Sequence, residues 1–389
     1  MGKCEASTRA TKAPARPANT PTLTASRSFP PHGGEGALAR LVPFRESRRP
    51  IPHPLNAGIL PCQSIEALIA EGAIVSDLPF APDQVQPASL DLRLGARVWR
   101  VRASFLPGLG RKVADRIADV AMHELDLTGG AVLERGCVYI AELAERLKLP
   151  PGVAARGNPK SSTGRVDVFV RTLTDHGPAF DDVAEGYHGP IYLEIAPQTF
   201  SVLVRTGTRL NQLRLKRGHA EVLSIRSVGV DLESRLAGFR ARRHAGVIDL
   251  DLEDGHDPRD FWEPLEPRRG ELLLDPGEFY VLASKEAVHI PVDQAAEMTP
   301  IDPAVGEFRV HYAGFFDPGF GAPETDSVGA RGVLEVRSHE TPFLLEDGQT
   351  VARLVFEPLT QRPTRLYGED GSHYQRQGLK LSKHFKVWT

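Results

Sequence analysis

The feature that most narrows what this chain can become is that its second half repeats its first. Gly136, Pro150, Glu194 and Gly207 recur as Gly277, Pro291, Glu335 and Gly348, each pair 141 residues apart. The local strings agree as well: Tyr139-Ile140-Ala141 answers Tyr280-Val281-Leu282, and Tyr192-Leu193-Glu194-Ile195 answers Val333-Leu334-Glu335-Val336. Ser89-Leu90-Asp91-Leu92 is matched to Ile248-Asp249-Leu250-Asp251. A fixed period of this kind means two copies of one structural unit. The boundaries follow: an extension over 1–54, a first unit over 55–220 and a second over 221–389, joined within 216–243.

Each unit reads as β. Residues 88–95 and 96–101 alternate apolar and polar side chains, and strand-like runs continue at 131–133, 138–141, 166–170, 191–195, 200–204 and 210–215. The 32 prolines and 36 glycines favour turns and short strands over long helices. A short helix is expected over 65–71, with Ser64 as its cap and Gly72 as its stop, and a helical turn over 140–147. Residues 1–54 are rich in Pro, Ser, Thr, Arg and Gly without periodicity, which reads as a disordered extension, a transit peptide being the alternative.

The totals exclude several classes. A net charge of −3 gives no general attraction to nucleic acid or membrane. No apolar run approaches the roughly 20 residues of a membrane span. Cys4, Cys62 and Cys137 lie far apart and form no Cys-x-x-Cys, which points to a reducing, cytoplasmic compartment.

The repeat is unequal at one place. Residues 160–165 read Lys-Ser-Ser-Thr-Gly-Arg, whereas 301–306 read Ile-Asp-Pro-Ala-Val-Gly, without the hydroxyls and without either cation. Hydroxyls beside a cation suit phosphate oxygens. Glu194 stands alone in an apolar strand, where burial raises a carboxyl's pKa and suits it to proton transfer. The pattern points to a nucleotide site with one acid/base carboxylate. Gly, Ser and basic residues of the C-terminal segment suit a flap over a phosphate chain.

In this order the motifs resemble the dCTP deaminase branch of the dUTPase-like superfamily, over residues 58–389. Lys160, Ser161, Ser162 and Arg165 match the family's basic-Ser-Ser-x-x-Arg pattern, Tyr192-Leu193-Glu194 its catalytic strand, and Asp181 the Asp of the preceding turn. Residues 314–321 look like its Ala-Gly-x-Ile-Asp-Pro-Gly turn. Tyr367, His373, Tyr374 and Gln377 look like its closing tail. The tandem arrangement is similar to the two-unit proteobacterial members. The resemblance implies an all-β fold of two tandem, distorted dUTPase-like barrels with a few short helices, packed as a homo-oligomer with pseudo-threefold symmetry. It implies hydrolysis of dCTP to dUTP and ammonia, feeding thymidylate synthesis, with dTTP as a feedback inhibitor. Deamination then needs no cofactor, and Mg2+ accompanies the triphosphate. A zinc route needs His-x-Glu with Pro-Cys-x-x-Cys, which this sequence lacks.

The implied roles are Glu194 as acid/base, Ser161 orienting water and Arg165 supporting Glu194. Lys160 and Ser162 fall on phosphate, and Asp181 on the sugar with Asp317 as its rival. Tyr192 belongs to the substrate strand, and Tyr367, His373, Tyr374 and Gln377 close over the nucleotide. Glu335, without hydroxyl and basic partners in its own unit, reads as structural. Two further readings stand beside this one: a bifunctional deaminase and diphosphatase ending at dUMP through Asp317, and a non-catalytic nucleotide-binding module.

Overall fold

The computed structural model describes residues 56–301, 308–310, 314–321, 329–338, 340–369, 374 and 377–389. The extension expected over 1–54 and the tail residue His373 lie outside them. The fold is β throughout, with three short α-helices among the described residues.

In the first half, the central strand His188–Pro197 pairs with Val168–Thr174 on one side and Val138–Lys148 on the other. Leu94–Val101 and Ala121–Asp126 extend this sheet. A second sheet runs through Val153–Pro159, Asn211–Arg217 and Ser89–Leu92. The second half rebuilds both. Ala330–Ser338 lies between Phe279–Val288 and Phe308–Val310, and Thr350–Pro358 lies between Ser224–Gly229 and Gln294–Pro300.

The registers carry the sequence period into the backbone. Glu194 faces Ile140 and Glu335 faces Val281; Arg214 faces Arg156 and Val355 faces Glu297. The Tyr139 hydroxyl accepts from the Glu134 amide at 3.0 Å, and the Tyr280 hydroxyl accepts from the Asp275 amide at 2.9 Å. Gly136 and Gly277 make the intervening turn at φ of 73° and 72°, a conformation that glycine adopts without steric cost.

Three local expectations are corrected. Residues 140–147 belong to the eleven-residue strand Val138–Lys148, whose residues are buried on both faces. A strand covered on both faces reads as a nearly continuous apolar run, and periodicity alone does not separate that from a helical turn. The partner of Ser89–Leu92 is not Ile248–Asp251. Leu90 pairs with Leu213, and Arg226 pairs with Leu354, the repeat-mate of Leu213, so Arg226–Val228 holds the equivalent place. Ile248–Asp249 instead crosses to the first half and pairs in parallel with Val202–Leu203. The first helix begins earlier than expected, at Cys62, after an extended Pro61 with no side-chain cap.

The helix Val113–Val120 was not anticipated. Val113 and Ile117 pack with Val101, Ile140, Leu173 and Tyr192 in a small separate cluster. The main core joins the halves: Phe200 of the first meets Phe261 and Trp262 of the second at centroid distances of 5.7 and 5.4 Å, and Phe385 of the tail meets Trp262 at 5.9 Å.

Candidate active site

A cavity of about 410 Å³ opens between the halves, within the size range of small-molecule sites. Its first wall is the turn that follows the strand Val153–Pro159. Lys160 is extended, and the chain then closes one helical turn, Ser161–Gly164, with the Thr163 and Gly164 amides donating to the Lys160 carbonyl at 2.9 and 3.0 Å. The Thr163 hydroxyl pins this turn to the Leu210 carbonyl at 2.8 Å. Lys160, Ser161, Ser162 and Arg165 all line the cavity. Lys160 Nζ meets Asp91 at 2.5 Å, and Arg209 reaches the same carboxylate at 3.4 Å.

The opposite wall comes from the second half: Val333 and Glu335 on the strand Ala330–Ser338, and Phe316 and Asp317 on the preceding turn. Glu335 is buried, and its Oε1 lies 4.0 Å from Arg165 Nε. Burial pushes the Glu335 carboxyl up to about 8, against the pull of the Arg165 guanidinium. Arg165 Nε has no hydrogen-bond partner among the described residues. Two residues beyond Glu335, Arg337 pairs with Asp167, at the exit of the serine turn, and donates to Thr199 Oγ1 at 2.8 Å. That ion pair ties the two walls together.

The tail folds over its own chain's cavity. The Tyr374 ring lies 4.0 Å beneath the Arg165 guanidinium, Arg165 Nη1 donates to the Lys380 carbonyl at 3.0 Å, and the Ser382 hydroxyl donates to the Ser162 carbonyl at 2.8 Å. Gln377 fixes itself to the Glu335 strand through paired contacts with Arg331, at 2.9 and 3.1 Å. Tyr367, Tyr374 and Gln377 line the cavity.

Three expected residues are elsewhere. Glu194 does not line this cavity. It is buried in its own sheet, where Arg171, directly across the strand pair, donates to its Oε1 at 3.0 and 2.5 Å. Arg171 is in turn stacked on Phe180 at 3.6 Å and bonded to Ser104 Oγ at 2.9 Å. Tyr192 is buried in the cluster under the helix Val113–Val120, where burial pushes its hydroxyl up to about 12. Asp181 is a turn residue with φ of 61° whose carboxylate accepts from the Thr172 amide at 2.7 Å; burial raises it to about 6.

The carboxylates that do line the cavity are Glu335, Asp317, Asp91, Asp83 and Asp251. Sequence reasoning set Glu335 aside and passed over Asp91, Arg209 and the buried His384. The signals were the repeat itself for Glu335, and the acid inside the apolar Ser89–Leu92 strand for Asp91. Among the described residues no group of three His, Cys, Asp or Glu gathers to hold a metal ion.

Two family models divide the chain. The N-terminal domain of 2'-deoxycytidine 5'-triphosphate deaminase matches residues 56–219, and the C-terminal domain of the same family matches residues 222–385. The crystal structure of 2'-deoxycytidine 5'-triphosphate deaminase from Agrobacterium tumefaciens is 52% identical, with a TM-score of 0.75 over 78% of this chain and 99% of that one. A dCTP deaminase of Halorubrum lacusprofundi is 32% identical over 148 residues, 37% of this chain and 70% of the relative. A dUMP-forming dCTP deaminase of Coprothermobacter proteolyticus is 29% identical over 150 residues, 38% and 76% of the two chains. With both domains matched in order and one solved relative covered almost end to end, the chain belongs to the dCTP deaminase family, whose members are hydrolytic deaminases.

Proposed function

We propose that this enzyme deaminates dCTP to dUTP and ammonia in the cavity between its halves, with Glu335 as the acid/base group in place of Glu194. The observation that carries this is the meeting of Glu335 from one half with Ser161, Ser162 and Arg165 from the other. A carboxyl raised to about 8 exchanges protons readily near neutral pH. In this reading Glu335 takes a proton from water as its oxygen attacks C4 of cytosine. It passes that proton to the ring nitrogen N3, then takes the second proton from the new C4 hydroxyl and gives it to the departing amine, which leaves as ammonia while the C4 carbonyl forms. Ser161 orients the water, and Arg165 steadies charge on Glu335.

Lys160, Ser162 and Arg209 meet the triphosphate, and Asp317 takes the sugar 3'-hydroxyl. Mg2+ arrives on the phosphate oxygens. Tyr374 and Gln377 hold the tail across the bound nucleotide. dTTP, which shares the sugar and the triphosphate, competes for the same cavity.

A second reading, deamination followed by cleavage to dUMP, is favoured by two observations. Asp317 is a buried carboxylate in the same cavity, and relatives named as dUMP-forming match the chain. Incubation with dCTP and joint measurement of ammonia, dUTP, dUMP and pyrophosphate tests both. Equal amounts of ammonia and dUTP support the first reading. Pyrophosphate equal to ammonia selects the second, and no ammonia refutes both.

A further inference from the structure

Arg214 lies on the first-half strand Asn211–Arg217, yet its side chain is spent entirely on the second half. Nη1 donates to the Ala296 carbonyl at 2.9 Å. Nη2 donates to the Phe316 carbonyl at 3.3 Å and to Asp317 Oδ1 at 3.0 Å, and the guanidinium stacks 3.9 Å from the Phe315 ring. The side chain is 0% exposed, and its Nε has no partner among the described residues. Burying a guanidinium is costly unless its contacts return that cost. The barrel alone does not require the residue, because Val355 stands at the same register in the second half. The cation therefore answers a need of the first half's neighbour, the turn bearing Asp317.

Asp317 is buried, and it lines the cavity. Its Oδ1 is taken by Arg214, and Ser89 reaches Oδ2 only at 3.4 Å. The Ala88 backbone also hydrogen-bonds this carboxylate, so it is oriented from the first half, and with about four lone-pair sites on its two oxygens it is still able to accept. Burial pushes the Asp317 carboxyl up, and the Arg214 guanidinium acts against that shift.

Building on the reading of Asp317 as the group that meets the sugar, we infer that Arg214 is a positioning residue. It presents the Asp317 carboxylate to the nucleotide's 3'-hydroxyl and so sets the enzyme's preference for a sugar that carries it.

The test compares kcat and KM for dCTP and for 2',3'-dideoxy-CTP in the wild type, Asp317→Asn, Arg214→Met and Arg214→Lys. A hydrogen bond to a charged group predicts a wild-type preference for dCTP of about 10- to 100-fold in kcat/KM. Asp317→Asn and Arg214→Met are expected to flatten that preference, chiefly by raising KM for dCTP more than for the dideoxy substrate. Arg214→Lys is expected to keep part of it. If Asp317→Asn retains the preference, the sugar reading falls and this inference falls with it. If Asp317→Asn flattens it and Arg214→Met does not, the role of Arg214 alone is overturned. Equal losses on both substrates in Arg214→Met reduce Arg214 to a structural staple and also overturn it. Should Arg214→Met fail to fold, Arg214→Lys decides by the same ratio: a reduced preference supports the role, and an unchanged one ends it.

Discussion

Replacing Glu335 by Gln removes the proton-carrying oxygen and little volume, so it isolates the chemistry from the packing. General acid–base catalysis by a placed side chain contributes about 10²- to 10⁴-fold, or roughly 3–5 kcal/mol of barrier. The variant is therefore expected to lose ammonia release by that factor while dCTP affinity, measured by calorimetry, stays within about tenfold. The structure adds a sharper signature. With the carboxyl raised to about 8, roughly a tenth of the free enzyme carries the ionised base at pH 7. The kcat/KM for dCTP should then climb about tenfold per pH unit and level off only near pH 8, whereas an ordinary glutamate would give a flat profile above pH 6.

The same carboxyl binds its proton more tightly in the folded chain than the usual 4.5. Its contribution to stability is thus whole below about 4.5 and is lost as the pH rises towards about 8. Glu335→Gln should abolish that part of the dependence in chemical-denaturation curves taken across this window. Turnover by Glu335→Gln within tenfold of the wild type would refute the assignment. So would a normal profile in that variant paired with a dead Glu194→Gln.

Three further substitutions separate the site from its supports. Glu194→Gln should keep kcat within about twofold yet lower the melting temperature by several degrees, since it leaves Arg171 without its carboxylate; because Arg171 is 25% exposed, the loss should fall below the roughly 3–5 kcal/mol of a fully buried pair. Tyr374→Ala removes the ring beneath Arg165, a contact of about 2 kcal/mol where desolvated, and should lower kcat/KM about 30-fold without changing the melting temperature by more than a few degrees. Arg337→Met takes the paired cation from the buried Asp167, which keeps its hydrogen bond from Thr199, and should cost less than the roughly 3–5 kcal/mol of a fully stranded charge in urea unfolding, together with a rise in KM as the serine turn loosens from the Glu335 strand.

Much of the architecture was legible because its signals are local and doubled. The 141-residue period is written in glycines that need a left-handed turn and in a tyrosine whose hydroxyl caps the same turn twice. One wall of the cavity was legible too, since Lys160, Ser161, Ser162 and Arg165 are adjacent in the chain and stay adjacent in space. What failed was the step from order in sequence to nearness in the fold. Ser161 and Glu194 belong to one repeat, and a sequence reading joins them. The fold sets the serine turn of one repeat against the carboxylate strand of the other, so the partner of Arg165 is Glu335. The helix Val113–Val120 was missed for a smaller reason: Val113, Ile117 and Val120 carry helical spacing, but the glycine- and arginine-rich lead-in obscured it.

The two glutamates also differ in surroundings in a way that bears on the role proposed for Glu335. Both are buried in equivalent strands. Glu194 has a guanidinium directly across its strand pair, with two short hydrogen bonds on one oxygen. Ser104 and Phe180 hold that guanidinium in place, and the helix Val113–Val120 packs on the neighbouring Tyr192. Its Oε2 has no hydrogen-bond partner among the described residues, but its countercharge sits within its own sheet. Among the described residues the cation paired with Glu335 is Arg165, 4.0 Å away and already shared with the tail. A buried carboxyl whose countercharge stands back at that distance keeps a raised affinity for a proton, and that affinity is what a group passing a proton from water to an amine requires.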